Sequence, residues 1–121
     1  MVISKVFEFS SAHHLPGHKV CGLPHGHNYS LEPEVSGPVC LDGMVLDFFI
    51  LKEVINEALV GLDHRDLNDT LNMPTAENLA ILLGRKISTI LKNKGLFVEL
   101  VRLKLWETSH NYVVAYPEDW A

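Results

Sequence analysis

The stretch Cys21-Gly-Leu-Pro-His25-Gly-His27 sets a thiol four residues before two imidazoles, and a third imidazole, His13, lies eight residues upstream of that thiol. Thiolate sulfur and imidazole nitrogen are the side-chain atoms zinc prefers. Two chemistries fit the set. All four residues could close around one zinc as a structural site. Alternatively, the histidines could hold the metal with one position left open, and Cys21 could act beside it as a thiolate that moves a proton. In a chain of 121 residues with seven histidines, the H-x-H spacing alone carries little weight. Its setting carries more, because two imidazoles two apart on a strand point the same way and can share one ion. Three imidazoles with an open fourth position describe a catalytic zinc better than a structural one.

Other residues could serve the same chemistry. Asp63-His64 follows a predicted helix and could be an oriented base, the carboxylate fixing the imidazole tautomer. Glu107 ends the apolar face of a predicted strand, where a charge is unfavourable unless something binds it. Glu77 reads as a first-turn helix residue, Cys40 as a turn thiol, and His14 and His18 as spectators. The loop setting of Cys21, between Pro16-Gly17 and Gly22 with Pro24, argues against its being a small core hydrophobe.

The elements that must position these groups are legible in the periodicity. Residues 2 to 13 alternate as a strand, with Phe7, Phe9, Ser11 and His13 on one face. From His25 the odd positions run His27, Tyr29, Leu31, Pro33, Val35, and the even ones are small or polar, so both histidines open the core-facing side of a second strand. Pro33 cannot donate to a ladder and suggests an edge or a bulge. Asp47 caps a predicted helix over 48 to 60, with Phe48, Leu51, Ile55, Ala58 and Leu59 as its stripe and Gly61 as its stop. Thr75 caps a second, carrying Leu79, Leu82, Leu83, Ile87, Ile90 and Leu91 and closing at Gly95. Residues 98 to 107 read as a third strand, with Glu99, Val101, Leu103, Leu105 and Glu107 on one face, and 112 to 116 as a fourth. The order predicts one α+β domain over 1 to 121, a four-stranded antiparallel sheet with two helices on one face.

Composition bounds the function. A formal net charge of −5 with scattered Lys and Arg argues against a nucleic-acid surface, and a small-molecule ligand is the expectation. No apolar run reaches the roughly 20 residues of a membrane span. The N-terminus lacks the apolar core of a signal peptide, and two cysteines make no disulfide framework, so a reduced cytoplasmic setting is expected.

Several blocks together resemble the 6-pyruvoyltetrahydropterin synthase/6-carboxytetrahydropterin synthase family. They are F-S-S-A-H at 9 to 13, C-G-L-P-H-G-H-N-Y at 21 to 29, G-M-V-L-D-F at 43 to 48, L-D-H-R-D-L-N at 62 to 68, P-T-A-E-N at 74 to 78 and W-E-T at 106 to 108. The resemblance implies zinc held by His13, His25 and His27, with Cys21 as catalytic base or acid assisted by Asp63 and His64. It implies that Glu107 grips the pterin ring and that Thr75 contacts the ligand. The C-x3-H-G-H spacing looks like the bacterial 6-carboxytetrahydropterin synthase branch of queuosine biosynthesis, whereas biopterin-forming enzymes typically carry C-x5-H-G-H. Implied with it are the tunnelling fold, trimeric barrels stacked as hexamers, active sites at subunit boundaries, and a pterin triphosphate substrate. Lys19, Arg65 and Lys104 are the candidate triphosphate contacts. The chain departs from the pattern at His14, where most relatives carry a basic residue, and at Pro33, which interrupts a strand that is usually continuous.

Overall fold

Side-chain alternation in the central strand β3 (His25–Ser36) sets the architecture of the computed structural model, which describes residues 1–121. Its odd residues Tyr29, Leu31, Pro33 and Val35 are buried, and the even ones stay partly in water. Strands β1 (Val2–Ser4) and β2 (Phe7–His13) pair antiparallel with one side of β3. On its other side lies β4 (Glu99–Trp106), and β5 (Tyr112–Ala115) follows β4 outward. The sheet is antiparallel throughout. Helices α1 (Phe48–Leu59) and α2 (Ala76–Asn93) contribute Leu51, Val54, Ile55, Leu79, Leu83 and Ile87 to the core they share with the odd face of β3.

The first strand is split where a continuous one was expected, and Pro33 explains the gap. Ser4 faces Glu34 and Phe7 faces Leu31, so β1 and β2 share one register, and the missing rungs at Lys5 and Val6 fall opposite Pro33 and Glu32. Odd residues of β3 direct their N–H groups to this side, as Gly37 does to the Met1 carbonyl (3.1 Å). Pro33 has none to give. It therefore sits in a central strand, and the interruption passes to its neighbour.

A second irregularity corrects the expected face of β4. The register steps from Glu34↔Arg102 to Val35↔Leu100, leaving Val101 as the extra residue of a bulge. Leu100, Leu103 and Leu105 all reach the core, whereas unbroken alternation had placed Glu99 and Val101 there. On α1 the Asp47 carboxylate accepts the Phe49 N–H (2.8 Å), and Gly61 takes φ +82 after the helix. Phe48 is about half exposed and leaves the stripe, its place in the core taken by Val54. A short third helix, α3 (Pro117–Trp120), was not foreseen. It lays Trp120 across Gly84 of α2, where a Cβ would come within 2.4 Å of the indole.

Candidate metal centre and active site

His13 ends β2 and His25 begins β3, and the two are register partners in the sheet. The odd parity of β3 then brings His27 to the same patch. Their rings contact one another edge-on, with centroids 4.6 to 4.8 Å apart. One nitrogen from each lies within 4.8 Å of the others. His13 is 1% exposed, and His25 and His27 are half-buried, so the cluster lies where the core opens toward the surface.

The hydrogen bonds fix the tautomers. His13 Nδ1 lies 2.8 Å from the Pro74 carbonyl and His25 Nδ1 lies 2.8 Å from the Leu23 carbonyl. A carbonyl only accepts, so both Nδ1 atoms carry a proton, and in the neutral rings both Nε2 atoms present lone pairs. Those two Nε2 atoms are 3.0 Å apart. Two lone pairs at that distance repel unless a cation lies between or beside them. Burial holds the His27 imidazole below its ordinary pKa; Glu107 opposes this, and His13 and His25 add to it. The shift favours the neutral imidazole, the form that ligates. Imidazoles with Nδ1 bonded to carbonyls and Nε2 converging are the arrangement of metal-binding histidines. The donor set therefore fits a metal with nitrogen preference.

Around this centre the other expected residues fall into three groups. Glu107, just past β4, has its carboxylate 4.0 Å from His27 Nε2 and is a quarter exposed. Buried Tyr29 lies beneath the rings, its hydroxyl 3.4 Å from His13 Nδ1, and burial with Glu107 nearby pushes its pKa well up. Thr75 caps α2 by accepting the Asn78 N–H (3.1 Å), directly after the Pro74 carbonyl that holds His13. Cys21 is a half-buried free thiol in the loop between β2 and β3, outside the cluster of converging ligand atoms. Asp63 Oδ1 lies 2.9 Å from His64 Nδ1, and the His64 side chain is 80% exposed. No ring contact joins His64 to the three clustered imidazoles, which touch one another, His13 and His27 also touching Tyr29. Of the candidate phosphate contacts, Lys104 lies against the rings of Trp106 and Tyr112 (4.5 and 4.2 Å), and its partner Glu32 belongs to the polar series of β3, opposite the histidines.

Two residues taken as spectators have structural work. His18 Nδ1 accepts the N–H groups of Cys21 (2.9 Å) and Val20 (3.2 Å), folding the loop that carries the thiol. No periodicity marks such a contact. His14 is clamped through its main chain by Asn68, which donates to its carbonyl (3.0 Å) and accepts from its N–H (2.9 Å). Asn68 lay in plain sight within the L-D-H-R-D-L-N block, yet nothing in its type announced a partner fifty-four residues away.

An antiparallel sheet backed by helices, with a three-imidazole cluster at one end that could hold a metal ion, defines a protein of the tunnelling-fold class. Residues 2–118 match the family described as 6-pyruvoyl tetrahydropterin synthase, and the chain belongs to that family, one of pterin-forming enzymes. It is 46% identical over 103 residues to an Archaeoglobus fulgidus protein provisionally named 6-carboxy-5,6,7,8-tetrahydropterin synthase, covering 85% of this chain and 86% of the relative. It is 43% identical over 83 residues to the dihydroneopterin monophosphate aldolase of Pyrococcus furiosus, covering 69% of each. Among solved structures, the 6-pyruvoyl tetrahydropterin synthase of Caenorhabditis elegans superposes with a TM-score of 0.84 at 27% identity, covering 96% of this chain and 94% of that one. No helix is long and apolar enough to cross a membrane.

Proposed function

We propose that this chain is a zinc-dependent 6-carboxy-5,6,7,8-tetrahydropterin synthase of queuosine biosynthesis. It converts 7,8-dihydroneopterin triphosphate and water to 6-carboxytetrahydropterin, acetaldehyde and triphosphate in the cytoplasm. The observation that carries the reading is the convergence of one ring nitrogen each from His13, His25 and His27, with the Nδ1 atoms of His13 and His25 already bonded to carbonyls. The extent of likeness to the Archaeoglobus relative supports the choice of product.

Zinc held there would act as a Lewis acid on the hydroxyls of the substrate side chain. The chain's own residues do the rest. Cys21 takes a proton from the side-chain carbon as a thiolate and delivers it as a thiol. Asp63 holds the His64 imidazole in one tautomer for proton return, and the exposure of that ring supports its serving a neighbouring subunit of a trimer-based assembly, expected to be a hexamer. Glu107 accepts ring N–H groups of the pterin and so orients the reacting carbon, with Thr75 as a further contact.

Two other products are weighed by the comparisons. The family model and the Caenorhabditis structure favour 6-pyruvoyltetrahydropterin, formed by triphosphate loss without carbon–carbon cleavage. The Pyrococcus relative favours aldol cleavage of a monophosphate. A structural zinc module with Cys21 as fourth ligand loses support, because the thiol lies outside the converging set. Incubation of the full chain with dihydroneopterin triphosphate, followed by mass analysis, decides among these. Acetaldehyde and the 6-carboxy product in equal amounts support the proposal, and a pyruvoyl product or no turnover overturns it.

A further inference from the structure

The outer edge of β2 is sealed rung by rung, and the last rung is a side chain. Even residues of β2 point their main-chain groups away from β3. At Ser10 the N–H goes to Asp63 Oδ1 (3.0 Å) and the carbonyl receives the His64 N–H (2.6 Å). At Ala12 the N–H goes to the Arg65 carbonyl (3.0 Å), and the chain runs parallel there at Asp66. At His14 the segment has turned away into the short 3-10 turn Leu67–Asp69, and the Asn68 carboxamide completes the series, one donor and one acceptor, as a peptide group would.

Asn68 is itself fixed. Its N–H is accepted by Asp66 Oδ1 (2.9 Å), and its neighbour Leu67 is fully buried. Between the rungs at Ala12 and His14 stands His13, whose main chain faces β3 and whose ring reaches the histidine cluster. Immediately beyond His14 the strand gives way to the loop carrying Cys21. Without the Asn68 rung, β2 would end one rung earlier, and His13 would be its frayed last residue.

We infer that Asn68 is a positioning residue for the metal centre: by standing in for a β-strand at His14, it holds His13 in its ligating orientation where the strand gives way to the 14–24 loop. The inference rests on the three-histidine metal reading. It also links the two halves of the proposed chemistry, since the segment that anchors His13 is the one that presents Asp63 and His64.

The test measures zinc affinity of the full chain by competition with a chelating indicator, and the visible absorption spectrum of the cobalt(II) form. Loss of a group that orients a ligand costs metal affinity roughly 10–100-fold. Asn68→Ala is expected to weaken zinc binding at least about tenfold and to shift the cobalt bands, with circular dichroism unchanged. Asn68→Asp keeps the acceptor for the His14 N–H and loses the donor, so its loss should be intermediate. Arg85→Ala removes a remote bond from Arg85 Nε to the Trp120 carbonyl and controls for general loosening; it should leave zinc affinity alone. A folded Asn68→Ala chain with zinc affinity within twofold of the parent, and unshifted bands, overturns the inference. If Asn68→Ala does not fold, unchanged affinity in Asn68→Asp overturns it equally. A parent chain that binds no zinc removes the metal reading itself, which separates the two failures.

Discussion

The three imidazoles and the Cys21 thiol come from one short span of sequence, yet the molecule holds them by opposite means. His13 is paired in the sheet, sealed by the Asn68 rung and bonded at its ring to Pro74. His25 is its register partner and is tied to Leu23. Cys21 belongs to no element; the Nδ1 atom of an exposed histidine, His18, receives its N–H. A metal centre must meet a fixed coordination geometry, so its ligands sit on strands. A thiol that moves a proton has to approach a substrate that enters and leaves, so a loop suits it. The comparison implies that metal affinity and turnover respond to different substitutions.

The largest expected effect is on the rigid side. His27→Ala removes a ligand from a preformed set and should lower zinc affinity by more than the roughly 100-fold that an orienting partner is worth. Equilibrium dialysis checks this, and stoichiometric zinc retained by the variant would contradict the assignment. A smaller effect is expected on the loop side. His18→Ala should cut turnover by up to roughly 10²-fold, as a displaced reactive group does, with zinc content unchanged. His18→Asn should restore much of the rate, because its Oδ1 can accept the same N–H groups. Equal losses in both variants, or loss of zinc in either, would mean that His18 acts otherwise than by folding the loop.

The rigid half was also the legible half. Period-two alternation from His25 put both histidines of β3 on the core face, and the same parity carried His13 to the end of β2. The caps at Asp47 and Thr75 were readable because each is a local contact with the next turn. What escaped depends on long-range main-chain geometry. The Val101 bulge, which turns Leu100 inward, follows from pairing with β3 and leaves no mark on composition. The strap of residues 62–68 has no periodicity, because it bonds through backbone, the Asp63 carboxylate and the Asn68 carboxamide. Pro33 did leave a mark, but its consequence falls on Lys5 and Val6 of the neighbouring strand. Gly84 and Trp120 meet only because α3 folds back on α2, which neither residue indicates alone.

The central claim is that one set of residues holds the metal and a different residue moves the proton. Cys21→Ala tests it most directly when zinc content and turnover are measured on the same preparation. The account predicts zinc at about one per chain with turnover down by roughly 10²–10⁴, the range for removal of a positioned acid–base group. Loss of zinc together with activity would contradict it by making Cys21 a fourth ligand. Full activity with zinc intact would contradict it by removing the thiol from the chemistry.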